Sequence, residues 1–167
     1  MKESSTAPPG AKSQATRPAD HRPHRPLHLH GRFVLLVAAG GILGALSRYW
    51  FGMAVPAPDA WPLPTLLINL SGALALGWLL EALARNGPDA GLRRVARLGI
   101  GSGFLGAYTT YSTLALDSLH LFGAGRGMDA LWYLAASLFG GAAATTLGIW
   151  LGAIRHKSAQ QRREAQP

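Results

Sequence analysis

Six of the nine side chains in "GAYTTYSTL", residues 106–114, carry hydroxyls: Tyr108, Thr109, Thr110, Tyr111, Ser112 and Thr113. They lie inside a long apolar stretch, directly after Gly99, Gly101, Gly103 and Gly106. Glycines followed by consecutive β-branched threonines make poor helix, so the backbone is expected to break near residues 106–110. A break offers two kinds of ligand. Freed peptide carbonyls suit a small hard cation, and hydroxyl hydrogens suit an anion. Other polar groups in apolar surroundings are few. "TLLINLSG" sets Thr65 and Asn69 four residues apart, on one face of a helix, with Ser71 and Gly72 nearby. Asn69 either bonds a neighbouring helix or faces a cavity, while Thr65 has the further choice of bonding its own backbone. Arg48, in "GGILGALSRYW", either snorkels to an interface or draws anions into a vestibule. Covalent chemistry has no support: Asp117, Glu81 and His120 form no acid–base pair, and the chain has no cysteine.

These groups need elements to hold them, and composition says which. The chain is 49% hydrophobic and 14% charged, and the charges avoid four windows, 33–51, 63–84, 95–122 and 131–154. Each window is near or above the roughly 20 residues a helix needs to cross hydrocarbon. Lipid cannot satisfy backbone N–H and C=O groups, so the windows must be helical. The expectation is an all-α protein with four transmembrane helices over residues 32–154, the third of them broken. A cleaved signal is not expected, because the charged preamble is long and no polar cleavage zone follows the first window. Residues 1–31 are rich in Pro, Ser, Lys, Arg and His and read as a disordered basic tail. Its His21, His24, His28 and His30 are read as solvated rather than metal-binding. Residues 155–167 form a second basic tail.

Small residues recur at four-residue spacing. Gly40 and Gly44 do so in the first window, and Gly140, Ala144, Gly148 and Gly152 in the fourth. Such stripes let helix backbones approach closely where lipid removes the hydrophobic incentive to associate.

The formal charge of +8 suggests nucleic acid, but the cations are one-sided. Lys2, Lys12, Arg17, Arg22, Arg25 and Arg32 precede the first window; Arg85, Arg93, Arg94 and Arg97 fall between the second and third; Arg155, Lys157, Arg162 and Arg163 follow the fourth. The opposite loops offer only Arg126. Positive-inside bias therefore puts both termini in the cytoplasm of a multi-pass protein of the cell's inner (plasma) membrane. The basic segments are expected to meet anionic lipid, and no nucleic-acid partner is needed.

"GGILGALSRY", "TLLINLSG" and "GFLGAYTTYST", in this order in a short four-helix chain, resemble the Fluc or CrcB family of fluoride channels. The resemblance covers roughly residues 33–154 and is most specific in the third stretch. It implies an antiparallel dimer with two pores, a fluoride-selective channel that exports cytoplasmic fluoride and confers resistance, and one structural sodium ion at the dimer centre. It further implies that the carbonyls of Gly106 and Thr109 hold sodium. Asn69 and Ser112 would line the fluoride route, with Thr65 supporting Asn69 and Arg48 near a vestibule. Ser137 and Thr145 would form a polar track with Gly141 between them. A bare anion leaving water needs amide N–H, hydroxyl O–H or an aromatic edge; Asn69, Ser112 and Tyr111 supply one of each.

Two departures stand out. The family's two helix-3 phenylalanines are matched by Tyr111 and Leu114, and a family glutamate by Asp117. The charge bias is also too strong for insertion in both directions, so the favoured partner is a separate homologous subunit of opposite orientation, with a homodimer as the alternative. A small multidrug transporter, the competing four-helix class, depends on a carboxylate that residues 33–51 lack. A non-conducting partner subunit is the other alternative.

Overall fold

The computed structural model describes residues 31–85 and 89–164, with side chains as far as Ile154. Every regular element among them is helical. In chain order these are α1 (Gly31–Ala54), a 3-10 turn (Pro58–Ala60), α2 (Leu63–Arg85), α3 (Leu92–Ala96), a π-helical segment (Arg97–Leu105), α4 (Gly106–Tyr108), α5 (Tyr111–Gly123) and α6 (Gly127–Glu164). The tail expected over 1–31 lies outside the described residues, apart from Gly31, which opens α1.

Among the described residues, three helices are long and apolar enough to cross a membrane: Gly31–Ala54, Leu63–Arg85 and Gly127–Ile154. Their ends differ from the apolar windows for physical reasons. α6 starts at Gly127 rather than 131, because Arg126 bonds Asp129 at 2.6 Å and Ala130 N donates to Arg126 O at 3.1 Å, closing a polar first turn. At its far end the backbone stays helical to Glu164, through residues read from sequence as tail. A helix satisfies its own amides in water as well as in lipid, so loss of apolar character does not end it.

The third window, 95–122, is not one element. The glycine-rich stretch "RLGIGSGFL" winds as a π-helix, and the Gly106 amide that closes it donates back to Gly101 O. Two extended residues follow α4: Thr109 (φ −74, ψ 157) and Thr110 (φ −147, ψ 125). The chain then re-enters helix at Tyr111, with Thr110 as N-cap.

α1 lies along the π-segment, while α2 lies along α6, which also carries α5. Close approach explains the glycines. Gly40 and Gly44 face the backbone of Gly99 and Phe104, and a Cβ on Gly103 would stand 2.7 Å from Val37 O. Gly148 meets the Leu74 backbone, and a Cβ on Gly77 would stand 2.5 Å from Thr145 O. A larger side chain at any of these would push two backbones apart, which in lipid removes the packing that holds them.

Two polar ties close the ends. At one, Asp89 accepts from Arg97 at 2.7 Å and its main-chain oxygen accepts from Arg94 at 2.6 Å. The hydrogen bond from Arg97 holds the Asp89 carboxyl below the usual carboxylate range, aided by the charges of Arg97 and Arg94. At the other, Arg126 reaches Asp59 O at 2.5 Å, bracing a turn in which Asp59 and Ala60 have φ of 50° and 56°. Little of α1, or of α6 as far as Ile154, is buried, and large apolar side chains such as Leu35 and Phe139 are more than 70% exposed, so both helices need lipid or a partner against them.

Candidate functional site

Asn69 projects from α2 at the level of the break. Its Nδ2 donates to Thr110 O at 3.0 Å and its Oδ1 accepts from Thr110 N at 2.8 Å. One side-chain amide thus replaces both hydrogen bonds that an extended residue loses when it leaves a helix. The N-cap completes the repair: Thr110 Oγ1 accepts from Thr113 N at 3.2 Å and donates to Thr113 Oγ1 at 3.0 Å.

These two repairs free two carbonyls. In a continuous helix the Thr110 amide would donate to Gly106 O, and the Thr113 amide to Thr109 O. Asn69 and the Thr110 hydroxyl take those amides instead. The freed oxygens belong to the two residues the resemblance assigns to sodium, and carbonyl oxygen is the donor type such a cation takes.

Beside the break lies a cavity of about 390 Å³. α2 contributes Asn69 and Gly72 to its wall, the break Thr109 and Thr110, α5 Tyr111 and Leu114, and α6 Ser137, Gly141 and Thr145. Gly72 lets α2 reach the Thr109 side chain, and a Cβ on Gly141 would meet nothing within 4 Å, so that stretch of wall stays open.

The hydroxyls around this cavity are unequal. Thr109 donates to Leu105 O at 3.0 Å, Thr145 to Gly141 O at 2.9 Å, and Thr110 to Thr113 as above. Their protons are committed to the protein. Ser137 Oγ is buried and has no hydrogen-bond partner among the described residues. A buried hydroxyl without a partner is costly, so Ser137 stands apart in this lining as the hydroxyl with no bond among the described residues. Asn69 keeps a second Nδ2 hydrogen, since one amide nitrogen carries two donors.

The sequence-predicted residues fall into groups. The structure brings Asn69, Tyr111, Ser137 and Thr145 to one cavity, with Thr109 at its edge. Ser112 is exposed and outside this lining; because Thr110 gives its proton to Thr113, the 3.2 Å contact between Ser112 and Thr110 is closed by the Ser112 proton. Among the described residues no hydrogen bond joins Thr65 to Asn69. Thr65 is buried beside Tyr133, whose hydroxyl it engages together with Asp117, the latter at 3.4 Å. The amide of Asn69 is instead occupied by Thr110. Arg48 is half-buried near the end of α1 and does not line the cavity. Gly106 is exposed and does not line the cavity.

Two residues emerge only from the fold. Thr110 is the receiving half of the Asn69 clamp, 41 residues away in sequence. Tyr133 is fully buried, edge-on to Trp61 at 5.7 Å, and joins α6 to Asp117 on α5. Only the helical spacing of Thr110 and Thr113 hinted at a cap.

Known proteins bear on this geometry. Residues 35–149 match the family described as CrcB-like protein, Camphor Resistance (CrcB). The chain is 48% identical over 128 residues to the fluoride-specific ion channel FluC 2 of Leifsonia xyli subsp. xyli, covering 77% of this chain and 88% of that protein. It is 42% identical over 123 residues to FluC 2 of Moorella thermoacetica, covering 71% and 94%. With FluC 1 of Bacillus anthracis it shares 38% over 122 residues, 71% and 85% of the two chains. The matched region holds most of α1, all of α2 and the divided third stretch, and most of the apolar part of α6, cavity included, and on this footing the chain belongs to the CrcB family.

Proposed function

We propose that this protein is a subunit of a fluoride-specific channel that lets cytoplasmic fluoride leave down its electrochemical gradient and so gives fluoride resistance. The observation that carries the reading is the Ser137 hydroxyl, buried in the wall of the cavity without a partner among the described residues. A fluoride ion stripped of water needs strong donors at short range, and the cavity offers Ser137 Oγ–H, the second Nδ2–H of Asn69 and the Tyr111 ring edge. An inside-negative potential drives a monovalent anion outward by about 2.3 kcal/mol per 100 mV, so no pump is required.

On this reading α3 to α4 and α5 together make one further crossing, the third in chain order, in two half-spans joined at Thr109 and Thr110. Backbone broken at membrane depth needs a partner or a cavity, and Asn69 and the cavity supply both. Gly106 and Thr109 would hold one sodium ion through their freed carbonyls, and bound sodium would supply positive charge at the centre of an assembly of two subunits. Ser112 and Arg48, off the cavity here, would meet the ion where a second subunit completes the route. The cationic segments favour cytoplasmic termini in the plasma membrane.

The second subunit is a homologous chain of opposite orientation. Supporting this, the strong charge bias favours one direction of insertion, and Moorella thermoacetica has both a FluC 1 and a FluC 2 among the relatives. Leu114 lines the cavity where the family carries a ring, so the partner would supply that aromatic.

Fluoride-electrode recordings of proteoliposomes test the reading. Chain and partner together should release fluoride and not chloride. Silence of the pair, equal chloride release, or proton-coupled uptake of a cationic drug would replace it.

A further inference from the structure

A groove of about 730 Å³, sharing no lining residue with the site cavity, runs between α1 on one side and α3 and the π-segment on the other. Its floor is Gly40 and Gly99, where the two backbones meet, and its lining carries no polar side chain. Leu36, Gly40 and Leu43 recur along α1 at helical spacing, so the slot follows the helix axis. A second cavity of about 340 Å³ shares Leu36 and Val95 with it and adds Arg32 and Arg94. The slot therefore opens at one end between two guanidinium groups.

We propose that this groove binds one anionic phospholipid, with an acyl chain along α1 and the phosphate between Arg32 and Arg94. Length supports a lipid: from Arg32 to Leu43 the helix rises roughly 16 Å, close to one leaflet of a hydrocarbon core about 30 Å thick. Charge selects the headgroup. Arg94 is held in place by two bonds to Asp89 O, at 3.1 and 2.6 Å, and Arg32 lies 4.7 Å over the Phe33 ring. The Asp89 carboxylate lies closer to Arg97, at 2.7 Å, than to Arg94, at 3.8 Å, and no acid among the described residues lines the mouth, so a phosphate there would meet two cations. A partner helix in the slot would bury those cations and would need an acid to answer them; a phosphate answers both by bidentate contact.

The chain has no cysteine, which makes a single reporter straightforward. Ala39 is exposed and lines the groove. Full-length Ala39→Cys, labelled with a benzophenone and reconstituted in equal phosphatidylglycerol and phosphatidylcholine, is illuminated and weighed by mass spectrometry. The expected adduct is one phosphatidylglycerol per chain, preferred roughly ten-fold or more, as two cations near a membrane surface imply. Adding Arg32→Gln and Arg94→Gln should abolish the preference, and Arg32→Lys with Arg94→Lys should keep it. Equal labelling of the two lipids, a preference that survives both glutamines, or an adduct to a second chain or to residues 1–30 would overturn the proposal.

Discussion

Ser137 and Thr145 both line the cavity from α6, yet the structure gives them different work. Thr145 returns its proton to Gly141 O at 2.9 Å, while Ser137 has nothing to bond among the described residues. Ser137→Ala should therefore lower fluoride flux by roughly 10- to 100-fold, the loss of one hydrogen bond to an ion, and leave thermal stability unchanged. Thr145→Val should change flux less than about three-fold, because it removes no free donor. Equal losses from the two substitutions, read by fluoride electrode, would show that the hydroxyl inventory is wrong. Asn69 differs from both in being structural and functional at once. Asn69→Ala leaves Thr110 N and O without partners and should cost about 2–4 kcal/mol of stability in bilayer unfolding, as well as abolishing flux.

Among the elements, the divided third stretch depends on its neighbours. Thr110 caps α5, and Thr110→Val should destabilise it by about 1 kcal/mol while sparing the Asn69 clamp, which uses only the Thr110 main chain. The close helix pairs make a harder demand. Gly148 faces the Leu74 backbone, so Gly148→Leu must separate α6 from α2 and should destabilise by about 3 kcal/mol or more, with loss of the cavity these helices line. Gly141→Ala is the matched control: its Cβ meets nothing within 4 Å, so stability should hold while the cavity narrows. Unfolding in bicelles alongside flux separates these outcomes.

For the whole molecule, the prediction concerns orientation and partnership. Cations gather on one side of the apolar windows, with Arg126 alone opposite. Single cysteines placed in the loop after α1 and in the loop after α2 should label from opposite sides, each from one side only, and this chain alone in liposomes should release little fluoride. Dual labelling or robust efflux from the chain by itself would replace the two-subunit proposal with a homodimer. Neutralising Arg93, Arg94 and Arg97 weakens this bias without reversing it, because the cations before α1 and after α6 remain, so one-sided labelling should persist.

The sequence by itself determined that the chain is helical, that apolar windows flank few polar groups, and that the backbone yields near residues 106–110. These follow from local rules: hydrocarbon demands internal hydrogen bonds, and glycine followed by threonine resists helix. Gly40, Gly44 and Gly148 were legible for the same reason, their spacing marking a face where backbones touch. What the tertiary structure decided is who bonds whom. Nothing local ties Asn69 to Thr110 across 41 residues, assigns Thr65 to Tyr133, or shows that Thr145 keeps its proton while Ser137 does not. The π-winding of Arg97–Leu105, with Gly99 and Gly103 against α1, and the polar first turn of α6, closed by a bond from Arg126, are likewise features that apolar length does not reveal. Donor availability is a property of pairs, and pairs exist only once the helices have met.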